Sequence, residues 1–146
     1  MRKLPLIFIA IASIVAYSLT NDFGMVNLFE NVYAAELVYA PQINNERQVK
    51  ITVTLQDIPK DAKTWDFEVS LETHSHALSE LLENSSVLIA DGKQYQPLSW
   101  EGSPPGGHHR KGVLHFKTIA PQTSSVELQI RLIGDPVPRS FKWQLR

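Results

Sequence analysis

From Arg47 onward the chain alternates apolar and polar residues with a period of two, and this pattern limits the possible folds more than any other feature. In Val49-Lys50-Ile51-Thr52-Val53-Thr54-Leu55 every odd position is apolar and every even one polar. Successive side chains of a strand point to opposite faces, so such a run is a strand with one buried face. Trp65, Phe67, Val69 and Leu71 repeat the pattern, as do Val126, Leu128, Ile130 and Leu132, and then Phe141, Trp143 and Leu145. Ser86 to Ala90 reads as a short apolar strand, joined by an Asp91-Gly92 hairpin turn to Gln94 to Leu98. Val113 to Ile119 adds another strand, with Leu114 and Phe116 inward. Seven short strands, each with one apolar face, predict an all-β chain folded as an immunoglobulin-like antiparallel β-sandwich. A Greek-key barrel is the alternative. Trp65, Phe67, Phe116, Leu128, Ile130 and Trp143 are expected in one core. A single helical turn is read over Ser75 to Leu82, with Ser75 as its N-cap.

The N-terminus obeys a different rule. Arg2-Lys3 precedes an apolar run from Leu4 to Leu19. That length suits a secretory signal and falls short of a comfortable membrane span of about 20 residues. Residues 1–19 are therefore read as a signal peptide or N-terminal membrane anchor, 20–46 as linker or propeptide, and 47–146 as the β-sandwich domain. The expectation is export, to the periplasm, the exterior or the outer face of the cytoplasmic membrane. Membrane contact would come only through the N-terminal segment.

Composition removes several classes of function. The chain has no cysteine, which excludes disulfides, thiolate metal sites and cysteine nucleophiles. A net charge of -1 leaves no broad basic field for nucleic acid. Neither a Gly-x-Ser-x-Gly elbow nor a His-Glu-x-x-His helix nor a glycine-rich phosphate loop is present, so no enzymatic activity is expected.

The remaining chemistry lies in histidine. Four of the five histidines occupy two short segments, Thr73-His74-Ser75-His76 and Gly106-Gly107-His108-His109-Arg110-Lys111, and the fifth, His115, follows shortly after. If the strand of Trp65 continued through residue 76, His74 and His76 would share a face about 7 Å apart, close enough to converge on one ion. Neutral imidazole suits copper(II) and zinc. His74, His76, His108, His109 and His115 are thus candidate metal ligands, with Glu72 or Glu101 as a carboxylate ligand. Against a cation stand the charges of Arg110 and Lys111. They support a second reading, in which Gly106, Gly107, Arg110 and Lys111 form an anion or partner-binding cradle. A third makes the chain a structural or protein-interaction domain whose partner is an unknown protein.

Thr73-His74-Ser75, Trp100-x-Gly102 and Gly106-Gly107-His108-His109-Arg110-x-Gly112-Val113-Leu114-x-Phe116 together resemble a group of small exported prokaryotic β-sandwich domains of uncharacterised function. The resemblance covers about a third of the chain, centred on residues 73–116, and implies no activity. It does imply that the two histidine segments lie together, with His76 and His115 outside the matching positions.

Overall fold

The computed structural model describes residues 39–145. The signal or anchor segment at 1–19 and linker residues 20–38 lie outside them. Within the described residues, nine strands build two antiparallel sheets packed as a sandwich. The first sheet holds β1 (Gln42–Glu46), β2 (Val49–Leu55), β3 (Thr64–Thr73), β7 (His109–Lys117) and β6 (Ser99–Gly102), in that spatial order. The second holds β5 (Lys93–Tyr95), β4 (Ser86–Ala90), β8 (Ser125–Ile130) and β9 (Arg139–Gln144). The chain changes sheet after β3, β5 and β7, giving an immunoglobulin-like sandwich.

Alternation drives the architecture. The odd positions of β2 and β3 are buried, as are Leu114 and Phe116 of β7, and all six expected core residues are inside. Phe67 ties the layers together, meeting Phe116 of its own sheet edge-on and Trp143 of the other sheet, with ring centroids 5.5 Å apart in each case. Apolar side chains removed from water on both inner faces supply most of the stabilisation, at about 1.5–3 kcal/mol each.

Several expectations on strand limits change. The sandwich begins at Gln42, inside the stretch read as linker, because β1 (Gln-Ile-Asn-Asn-Glu) is scarcely buried and lacks alternation. β6 lies where no strand is expected, and β7 begins at His109 rather than Val113. β5 stops at Tyr95, two residues before Pro97. The helical turn is α1 (Leu82–Ser85), which overlaps the predicted segment at Leu82 alone, and Leu81 at its N-cap makes no side-chain bond. Among the described residues, no helix is long and apolar enough to cross a membrane.

Two local features matter below. The β1–β2 hairpin turns on Arg47 and Gln48 alone, and both have positive φ, +49° and +63°. Two-residue hairpins of this hand favour Asn-Gly. Each L-residue held there costs of order 1 kcal/mol. At the rim of the sandwich, the Gln42 carboxamide bonds the backbone of Lys142 in β9, accepting from its N–H at 3.0 Å and donating to its carbonyl.

Candidate functional site

The two histidine segments do lie side by side. Thr73 N–H donates to His108 O at 2.9 Å, Leu78 N–H to Gly107 O at 2.9 Å, and Gly106 N–H to Leu78 O at 2.7 Å. Gly106 and Gly107 have φ of +111° and +70°, backbone that a side chain would resist. The rings of His74 and His109 consequently stand nearly perpendicular, with centroids 6.1 Å apart. Both are exposed on the outer face of the first sheet, where Glu72 pairs across from His109. Lys50, 2.7 Å from Glu72, holds that carboxyl below its ordinary value by hydrogen bond and charge, with smaller contributions from His109 and His74.

The other histidines go elsewhere. β3 ends at Thr73, whose buried hydroxyl accepts the Ser75 N–H at 3.3 Å and meets Ser75 Oγ at 3.2 Å. This turn breaks the alternation, so His74 and His76 are not successive outward positions of one strand. His76 bonds Ser75 Oγ through Nδ1 at 2.8 Å and lines a different cavity from His74. His115 sits at the far end of β7, opposite Asp66 and Ser99, so it does not face His74 or His76. Its Nδ1 lies 2.8 Å from Asp66 Oδ1, while its buried Nε2, 3.4 Å from Glu101 Oε2, makes no hydrogen bond. Among the described residues, no three histidine, aspartate or glutamate side chains form a group that could hold a metal ion. The five-histidine ligand set is not assembled in this arrangement.

Arg110 departs furthest from expectation. It is 2% exposed and belongs to the interior rather than to a surface anion cradle. Nη1 donates to Leu78 O at 3.2 Å and Glu80 O at 2.6 Å, Nη2 to Ser103 O at 3.3 Å, and the guanidinium lies 5.7 Å from the centre of the Trp100 ring. Burial lowers its pKa, while the charges of Glu80 and Glu83 push it back up. A Cβ on Gly102 would collide with the Lys111 carbonyl, and one on Gly112 would lie 2.7 Å from the Trp100 ring. The Trp-x-Gly and Arg-x-Gly spacings therefore serve close packing of β6 on β7 around a buried guanidinium. Lys111 does face outward, but pairs with Glu68 at 2.8 Å.

A further polar constellation lies at the sandwich end that carries the β1–β2 turn. Arg139 and Asp135 are both almost wholly buried and paired twice, Nε to Oδ2 at 3.0 Å and Nη2 to Oδ1 at 3.2 Å. Arg139 Nη1 also donates to Val49 O at 2.7 Å. Beside the pair is a cavity of about 440 Å³, reached by Arg47, Gln48, Ser75 and His76. Burial alone would raise the Asp135 pKa, but the bonds from Arg139 and Leu132 N–H, with the charges of Arg139 and Arg47, bring it below the ordinary value. A depressed carboxyl adds stability that is present above the unfolded pKa of about 3.9 and is lost as pH falls through the lower folded value. Thermal melts across an acid series should therefore find Asp135→Asn less stable than wild type near neutrality, with the gap closing below about pH 4.

No family model and no curated protein matches the chain. A solved structure similar to it is a secreted protein of Mycobacterium tuberculosis, MPT63, 14% identical, with a TM-score of 0.42 over 73% of this chain and 92% of that one.

Proposed function

We propose that this chain is an exported, non-catalytic β-sandwich module that binds one transition-metal ion, copper(II) or zinc, between His74 and His109. Export rests on Arg2-Lys3 and the apolar run to Leu19. The observation that carries the metal reading is the 6.1 Å separation of two exposed imidazoles from chain positions 35 residues apart. With nitrogen–metal distances of about 2.0–2.1 Å, two imidazoles sharing an ion have ring centroids about 5–6 Å apart. Small side-chain rotations close that difference. The two imidazoles are the protein's ligands, Glu72 being held by Lys50, and solvent completes the coordination. Of the five candidate histidines, only these two enter the proposed site.

Calorimetric titration of the metal-stripped protein with zinc and with copper(II) tests this. One-to-one saturable binding is expected, lost in His74→Ala and in His109→Ala and retained in His115→Ala. At a free ion concentration a hundredfold above the dissociation constant, the native state should gain about 2.7 kcal/mol. Imidazole must be deprotonated to coordinate, so affinity should fall in acid. If neither ion binds more tightly than about millimolar, the metal reading fails. The protein-interaction reading then takes its place, favoured by Ile133 and Val137, exposed at 75% and 66% in one loop.

A further inference from the structure

The cavity of about 440 Å³ beside the Arg139–Asp135 pair is lined by neither His74 nor His109. Three observations meet there.

The first is charge. Arg139 and Arg47 against Asp135 leave one positive charge, two guanidiniums less one carboxylate, at the cavity wall. Arg139 is committed to Asp135, Val49 O and Asn44 Oδ1. Arg47 makes only a looser ion pair with the same carboxylate. Its Nε stands 4.0 Å from Asp135 Oδ1, beyond hydrogen-bonding reach, and its side chain is 59% exposed. A guanidinium held by charge alone, with no side-chain hydrogen bond, offers a planar fork of donors that fits a carboxylate.

The second is backbone geometry. Arg47 and Gln48 both occupy the left-handed region, and both side chains line the cavity. An Asn-Gly turn would close this hairpin with less strain but would bring no cation to the wall. Residues held in sparsely populated backbone regions concentrate at ligand clamps, where surrounding structure maintains them.

The third is the mixed character of the wall. Ser75 and His76 add polar groups, while Leu132 and the exposed Ile133 supply an apolar side. A phosphate dianion would carry surplus negative charge towards Asp135. A singly charged carboxylate with a short aliphatic tail matches both the charge and the wall.

We infer that this cavity binds a small organic carboxylate, with Arg47 gripping the head group and Leu132 and Ile133 covering the tail. The carboxylate is that of a free short-chain acid or of a polypeptide C-terminus, and two probes separate these sources: butyrate and N-acetylvaline. In calorimetric titrations of the full chain, at least one of them should bind one-to-one, and inorganic phosphate about tenfold more weakly. The tighter probe identifies the source. Arg47→Ala should weaken binding by about tenfold or more, the loss of one charge-assisted contact. The double variant Arg47→Asn with Gln48→Gly should lose binding equally while melting at or above the wild-type temperature, because it relieves the turn. His109→Ala should leave carboxylate binding unchanged, which separates this site from the metal site. Absence of saturable binding by both carboxylates, phosphate binding as tightly as either, or full affinity in both Arg47 variants would overturn the inference.

Discussion

Replacing Arg110 with alanine should destabilise the domain by about 3–5 kcal/mol, the usual consequence of breaking a buried charged network by removing one partner. The guanidinium donates to the carbonyls of Leu78, Glu80 and Ser103; Leu78 O keeps the Gly106 N–H and Ser103 O the Trp100 indole N–H, so Glu80 O is the acceptor stripped of its donor, at about 1–3 kcal/mol. The substitution also leaves the Glu80 side chain without the positive charge beside it, in a site where Glu80 Oε2 already has no hydrogen-bond partner. Arg110 joins the 78–80 segment to β7, so its removal loosens the register that sets His74 against His109. Urea unfolding reads the first effect, and titration of the same variant with the metal proposed for His74 and His109 reads the second as weaker binding. A loss below about 1 kcal/mol would mean that water replaces the guanidinium freely and that the interior position is incidental. Arg110→Lys should recover little, since an ammonium cannot span three carbonyls as a planar fork does.

Phe67→Ala should cost about 3–5 kcal/mol as well, by a different mechanism. The side chain is fully buried at the centre of β3 and touches an aromatic ring in each sheet. Its deletion removes apolar burial and leaves a void between layers whose backbones are fixed by their own hydrogen bonds, so collapse into the gap is limited. Phe67→Leu should cost markedly less. Parallel denaturant titrations measure both, and equal losses would show that the aromatic contacts, rather than the filled volume, dominate at this position.

Much of this was readable from alternation, because a one-sided strand states in its own sequence which face it buries. Val49 to Leu55 and Trp65 to Leu71 follow that rule, and Asp91-Gly92 forms the expected hairpin, with Ala90 opposite Lys93. β1 escaped because Gln-Ile-Asn-Asn-Glu is held by side-chain amides and a neighbouring strand rather than by burial. Arg110 was legible in principle. It is in phase with Leu114 and Phe116, the inward set of β7, whereas His109, Lys111 and His115 belong to the outward set. Its charge argued for the surface and its parity for the interior, and three backbone carbonyls decided for parity. Arg139 poses the same conflict, in phase with buried Phe141 and Trp143 and paid by Asp135 at close range. The separation of His74 from His76 was not legible from spacing, since it depends on one threonine hydroxyl ending β3.

The Gln42 carboxamide has a consequence for how copies of this protein meet. The rim of β9 away from β8 would otherwise present Lys142 N–H and C=O as a template for a foreign strand. A side-chain amide carries the same donor and acceptor as a peptide unit, so Gln42 answers that template with a one-residue decoy drawn from the opposite sheet. An incoming donor strand must displace it before zippering along β9. At high concentration, fibril growth from this rim is therefore opposed by a contact already present in every folded copy.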